Sequence, residues 1–152
     1  MLCEADIKVS WNARPRGFVA LMGLYESNYL RFLLLAGDPL RLRGTLVSQV
    51  AGDCELRLEV VEHMPYTSTL MMTYQLPSNV GDFERLPDLR LRAYHDARLL
   101  EADQVLAHAP QRKPRQPDPR KRERELHQRW SRNMMLNKWL EYCVERGHRF
   151  TI

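Results

Sequence analysis

The chain is short of the residues that most recognisable chemistries require. Its three cysteines, Cys3, Cys54 and Cys143, are far apart and odd in number, so there is no C-x-x-C pair and no disulfide framework. A reducing, cytoplasmic compartment is the expectation. Seven glycines form neither G-x-G-x-x-G nor G-x-x-x-x-G-K, which excludes the two glycine-rich phosphate loops. Five histidines, His63, His95, His108, His127 and His148, make no H-x-x-x-H or H-E-x-x-H spacing, and no metal or cofactor is expected. No apolar run approaches the roughly 18 residues of a membrane span; Leu33 to Ala36 is far too short. Residues 1–16 lack the charged, apolar and small-residue regions of a secretory signal, in that order.

What is present is one domain's length of ordinary globular composition. The 152 residues are 44% hydrophobic and 28% charged, which argues against a wholly disordered chain and leaves room for a core. The net charge of +4 is unevenly placed. Residues 111–132 hold nine basic residues (Arg112, Lys113, Arg115, Arg120, Lys121, Arg122, Arg124, Arg129 and Arg132) against three acids. Such a stripe suits phosphate, an acidic protein or anionic lipid. Composition explains part of it, because 19 of the 23 basic residues are Arg, while Leu occurs 23 times and Ile twice, a skew that fits GC-rich coding.

The hydrophobic period changes along the chain. Residues 1–16 read as a flexible arm and 17–152 as a single α+β domain. Phe18, Leu21, Met22, Tyr25, Tyr29, Phe32, Leu33 and Ala36 recur at helical spacing, and Gly37-Asp38-Pro39 ends that helix. Short β-like runs follow at 45–50, 54–61, 66–76 and 89–96, with Pro65 and the Pro77, Asn79, Gly81, Pro87 group as breaks. Residues 98–106 suit a strand, read as a bent continuation of the one before. Residues 110–120 form a Pro/Arg-rich connection in which four prolines exclude helix. A last helix is expected from about Lys121 to Arg146, with Gly147 as its cap. The fold expected is α+β: a single antiparallel sheet of four to five strands with the N-terminal and C-terminal helices packed on one face.

Several stretches together resemble the YqiB-like proteins, a bacterial family of unknown function. Tyr25-Glu26-Ser27-Asn28-Tyr29 is similar to C-E-T-N-Y, Val60-Val61-Glu62 to V-V-E, and Tyr66-Thr67-Ser68-Thr69-Leu70 to Y-T-T-T-L. Arg92-Ala93-Tyr94-His95-Asp96-Ala97 resembles R-L-Y-H-D-A, and Pro117-Asp118-Pro119-Arg120 resembles P-N-P-R. Asn133, Leu136, Trp139-Leu140 and Tyr142-Cys143 match N-x-x-L-x-x-W-L-x-Y-C. The resemblance implies a small cytoplasmic protein and brings no established activity.

The residues offer three functional readings. The leading one is a non-catalytic ligand-binding or protein-interaction domain, with a polar patch of Glu62, Tyr66, Arg92, Tyr94 and Asp96. There Arg92 supplies a cation, the tyrosines stack or donate, and the carboxylates orient a ligand hydroxyl or amine. The second is nucleic-acid binding through the stripe 112–132, chiefly Arg112, Lys113, Arg115, Arg120, Lys121, Arg122 and Arg124. No aromatic residue lies between Gln111 and Gln128, so the stripe has no base-stacking platform. The third is a hydrolase of a phosphorylated small molecule using His95 and Asp96. Strand alternation places His95 with Leu91 and Ala93, and Asp96 with Arg92, Tyr94 and Arg98 on the other face. That arrangement favours a buried, hydrogen-bonded His and a surface Asp. Nine positions separate Trp130 from Trp139, which points them to nearly opposite sides, Trp139 to the core and Trp130 to an edge. Asn28, Asn133 and Asn137 suit hydrogen bonds between the helices or the lining of a pocket.

Overall fold

The computed structural model describes residues 17–77, 83–106 and 119–151. The expected arm at 1–16, residues 78–82 of the expected loop and residues 110–118 of the expected Pro/Arg-rich connection lie outside them, as do Arg112, Lys113 and Arg115.

Helix α1 (Phe18–Ala36) has the bounds its periodicity predicts. It stops where Gly37, at φ 76°, turns its N–H back to the Leu33 carbonyl at 3.0 Å. The Asp38 carboxylate then accepts from the Leu40 N–H and opens a single 3-10 turn, Pro39–Arg41. The buried stripe runs through Leu21, Leu24, Tyr25, Asn28, Phe32 and Leu35. Phe18, expected within it, is 69% exposed at the helix start.

Five strands follow: β1 (Thr45–Ser48), β2 (Glu55–His63), β3 (Thr67–Pro77), β4 (Phe83–Tyr94) and β5 (Leu99–Val105). They form one sheet in chain order, every neighbouring pair antiparallel. Alternation decides the faces. Leu56, Leu58, Leu70, Met72, Leu89, Leu91 and Leu100 are fully buried on one side, against α1 and α2 (Lys121–Glu145). The opposite side carries Arg57, Glu59, Thr69, Met71, Arg90, Arg92 and Tyr94, and no helix among the described residues packs there. The fold is α+β, with both helices on one face of a single antiparallel sheet.

Two elements depart from the sequence reading. Pro87 lies inside β4 rather than in a loop. The ladder runs from Thr73↔Asp88 to Gln75↔Arg85, so β4 carries an extra residue at a bulge there. A bulge frees a strand position from ladder bonding and so tolerates a residue with no N–H. Residues 99–105 are a separate strand folded back on β4, not its continuation. A turn over 95–98 reverses the chain, with Arg98 at φ 56° and its guanidinium 5.8 Å from the Tyr29 ring centre. His95 and Asp96 therefore sit in that turn, and strand alternation does not govern them.

Trp130 is also deeper than its helical position suggested. It is buried with Leu21, Leu24, Tyr25 and Met134 in a small cluster between the helices, while Trp139 sits in the main core. Both sides of α2 are occupied, one by the sheet and one by α1. No helix among the described residues is long and apolar enough to cross a membrane.

Helix α2 ends in a Schellman turn. The Gly147 N–H donates to the Val144 carbonyl at 3.1 Å and the His148 N–H to the Cys143 carbonyl at 2.9 Å. Gly147 stands at φ 93°, with open space where a Cβ would be. Gly147→Ala should therefore cost backbone strain alone, about 1–2 kcal/mol. Thermal denaturation followed by circular dichroism should show a Tm lower by a few degrees; an unchanged Tm would mean the turn is not under conformational constraint.

Candidate functional site

The open face of the sheet collects most of the expected patch. Antiparallel register puts Glu62, Thr69, Arg92 and Glu101 in one row across β2 to β5. Glu62 and Arg92 thus share a face, two strands apart with Thr69 between them. Tyr94, two residues along β4, lies opposite Thr67 and Leu99. The β4 side chains are already tied to β5. Arg90 makes a bidentate pair with Asp103 at 2.9 and 3.0 Å, and Arg92 reaches the same carboxylate at 3.4 Å. The Asp103 hydrogen bond raises the Arg90 pKa further. The Tyr94 hydroxyl donates to Glu101 at 2.5 Å. Burial, together with that carboxylate, holds the Tyr94 hydroxyl protonated above its usual range, against an opposing pull from Arg92.

Tyr66 and Asp96 flank this network without joining it. Tyr66 lies in the β2–β3 connection, where its carbonyl accepts the His95 N–H at 2.9 Å, and its side chain is 67% exposed. Met64 and Val61 beside it are 52% and 54% exposed, which leaves an apolar tip next to the polar row. Asp96 is exposed in the β4–β5 turn.

His95 is half-buried, and no hydrogen bond joins it to Asp96 among the described residues. Its Nε2 contacts the Ser68 hydroxyl at 2.7 Å, and the same hydroxyl contacts His63 Nδ1. His63 Nε2 lies 2.8 Å from the Leu42 carbonyl. Arg43 Nη1 lies 2.9 Å from the same His63 Nε2 and donates to the Leu42 carbonyl at 2.8 Å, so Nε2 accepts from Arg43, His63 Nδ1–H donates to Ser68, and Ser68 donates to His95 Nε2. His95 Nδ1–H is then left as a buried donor without a partner among the described residues. Ser68 is fully buried, so this relay holds the hairpin end together and presents no nucleophile to solvent.

A second polar cluster is one that sequence reasoning missed. Asp53, in the β1–β2 turn, accepts from Tyr74 at 3.0 Å and from His148 Nε2 at 2.9 Å. His148 Nδ1 meets the Ser48 hydroxyl at 3.0 Å, and the Arg149 N–H donates to that same oxygen at 3.0 Å. Since Ser48 accepts from Arg149, its own hydrogen is free for His148 Nδ1, which leaves Nε2–H facing Asp53. The order Ser, His, Asp resembles a hydrolase triad, but Ser48 and His148 are buried beneath the C-terminal segment. Cys143, 3.5 Å from the Tyr74 hydroxyl, has its thiol pushed up to about 12 by burial, so it is no nucleophile either. The partners stand 95 and 100 residues apart, and no local motif announces them.

The three asparagines form a buried network between the helices and β5. Asn133 Oδ1 accepts from the Ala102 N–H at 2.7 Å and from Asn28 at 3.3 Å; its Nδ2 donates to the Ala102 and Arg129 carbonyls. Asn28 also donates to the Leu100 carbonyl, and Asn137 donates to Asn28 and Ser27. These amides occupy the edge of β5 that a further strand would otherwise bind.

At the start of α2, Arg120, Lys121, Arg122 and Arg124 are exposed, and a depression of about 340 Å³ lies among Arg120, Glu123, Arg124, His127 and Gln128. No side chain caps the helix N-terminus. Among the described residues, no group of three or more His, Cys, Asp or Glu side chains is placed to hold a metal ion.

A family model described as "Protein of unknown function (DUF1249)" matches residues 31–149. The chain belongs to the DUF1249 family. The matched span encloses the whole sheet and ends one residue beyond His148, so both sides of the Asp53–His148 contact lie within what defines DUF1249. The chain is 32% identical over 138 residues to Uncharacterized protein YqiB of Escherichia coli strain K12, covering 86% of this chain and 90% of that relative. The proteins of the same name from E. coli O6:H1 (strain CFT073) and O157:H7 match to the same extent. No solved structure matches the chain.

Proposed function

We propose that this DUF1249 protein is a non-catalytic, cytoplasmic binding protein whose ligand or partner meets the open face of the sheet at the Arg92 end. The observation that supports this most is the juxtaposition at that end. The exposed apolar tip of Val61, Met64 and Tyr66 adjoins the row Glu62, Arg92, Glu101, with Tyr94 and Asp96 beside it. Exposed apolar groups rimmed by fixed polar ones are the usual make-up of a recognition surface. The Arg92–Asp103 and Tyr94–Glu101 contacts hold the polar side chains in place before binding, which lowers the ordering cost.

The test is a native mass spectrum of untagged, gently purified protein, beside a folded Arg92→Ala/Asp96→Ala variant. A small molecule carried by the wild type and absent from the variant is the expected result for the ligand-binding form. For the partner-binding form, wild type and variant should differ in the partners cross-linked through Tyr66. A variant that matches the wild type in both assays would exclude this face.

One observation favours a second reading, nucleic-acid binding by Arg120, Lys121, Arg122 and Arg124. Basic side chains at the start of α2 lie at the positive end of the helix dipole, an unfavourable placement that an anion would relieve. Affinity for a single-stranded oligonucleotide should then fall steeply with salt and be lost when these four become Ser. Binding that ignores salt would exclude it.

A further inference from the structure

The open face carries a depression between β1 and β4, away from the Arg92 row. It is a cavity of about 160 Å³ lined by Thr45, Arg57, Glu59, Met71, Thr73 and Asp88, with Gln75 at one side. Register explains its form. Thr45, Glu59 and Met71 make one row across the sheet, and Arg57, Thr73 and Asp88 the next. A guanidinium on β2 and a carboxylate on β4 therefore stand two strands apart, roughly 10 Å between backbones, with the short Thr73 between them.

The polar groups there are incompletely used. Arg57 spends one terminal nitrogen on Glu55 at 3.2 Å, while its Nε is shielded from solvent and has no hydrogen-bond partner. Asp88 is buried and gives Oδ1 to the Thr73 hydroxyl at 2.8 Å; Oδ2 accepts no side-chain hydrogen bond among the described residues. Glu59 is exposed at the rim and makes no ion pair among the described residues. A guanidinium thus shares the lining of this cavity with two carboxylates that have room for donors.

We infer that this cavity binds a small zwitterion, its anionic end on the exposed part of the Arg57 guanidinium and its ammonium between Glu59 and Asp88. This rests on the reading of the open face as a binding face and adds a second, chemically defined position on it. A dianion is disfavoured, because Glu59 and Asp88 repel it and Glu55 already offsets part of the Arg57 charge. A dication is repelled by the Arg57 guanidinium. An apolar molecule would desolvate all three groups without pairing any. The size is that of a single short chain, since a cavity of about 150 Å³ holds one benzene ring.

Three four-carbon probes separate these cases: 4-aminobutyrate, succinate and putrescine. Each is titrated into the full-length protein while the arginine Nε–H resonances are followed by nuclear magnetic resonance. The expected result is a saturable shift of the Arg57 Nε–H with 4-aminobutyrate, at an affinity about tenfold or more above either other probe. Glu59→Gln, a rim substitution that does not disturb the core, should weaken it by about tenfold, and Arg57→Lys, which keeps the charge but removes the planar guanidinium and its resonance, should do the same when followed by isothermal titration calorimetry. Equal or tighter binding of putrescine overturns the assignment in favour of a plain cation site. A silent Arg57 with all three probes overturns it outright. Shifts at Arg92 with Arg57 silent would refute the cavity while supporting the face, and silence at Arg57 with the Arg92→Ala/Asp96→Ala variant unaltered in its binding would refute both.

Discussion

Asn133→Leu should lower the melting temperature by about 6–12 °C, the result of losing about 3 kcal/mol in a chain of this size. Asn133 has no exposed surface, and all of its hydrogen-bonding capacity is in use, on Ala102, Asn28 and Arg129. Leucine fills a similar space, so the loss is not a cavity. It is the burial of an Ala102 N–H that has no other partner, plus a weakened Asn28. The amide copies what a sixth strand would offer, a donor and an acceptor side by side against one residue's N–H and carbonyl. Arg132 Nε, at 2.9 Å from the same Ala102 carbonyl, leaves that acceptor partly satisfied in the variant. The uncovered N–H should also make β5 a pairing edge. Light scattering should therefore show concentration-dependent association of the leucine variant below its melting point. A variant that melts within about a degree of the wild type and stays monodisperse would show that helix packing alone protects the edge.

The asparagines mark what the sequence makes legible and what it hides. Their spacing, one helical turn for Asn133 and Asn137, suits hydrogen bonds between the helices or the lining of a pocket. It could not show that the partner was the backbone of β5, because a strand's edge has no side-chain signature. Alternation from Leu56 to Val60 and from Leu89 to Tyr94 predicted which side chains face the core, and α1 and α2 kept close to their expected bounds. His95 failed the same logic because alternation holds only while the ladder continues, and the β4–β5 turn begins there. Trp130 failed because a helix contacting both a sheet and another helix has two buried sides. The patch residues Glu62 and Arg92 share a row only through Thr69, a fact of register that one-dimensional reading cannot supply. Asp53, Ser48 and His148 were invisible for a related reason. Each is an ordinary turn, strand-end or tail residue until the C-terminus folds back over the β1–β2 hairpin.

That clasp predicts how stability depends on acid. Burial raises the Asp53 pKa, but hydrogen bonds from the Cys54 N–H, His148 and Tyr74 outweigh it and hold the carboxyl below its ordinary 3.8. A depressed folded-state pKa means that the unfolded chain binds the proton more readily. The stabilisation is therefore present in full above the ordinary carboxylate range and is lost as pH falls through the folded value. Asp53→Asn keeps the shape but removes the charge and turns an amide donor either toward the Cys54 N–H or toward both the Tyr74 hydroxyl and the His148 Nε2–H. At neutral pH the variant should be less stable by about 2 kcal/mol, the worth of a hydrogen bond to a charged group. As pH is lowered from about 4, the two denaturation midpoints should converge, because the wild type loses the charge that the variant never had. A gap that stays constant with pH would show that Asp53 acts by packing alone. A gap that widens on acidification would reverse the sign and place the titrating group elsewhere. Convergence, by contrast, would tie the closing of the C-terminal segment to one carboxylate, because through His148 it also positions Ser48 and the Arg149 backbone.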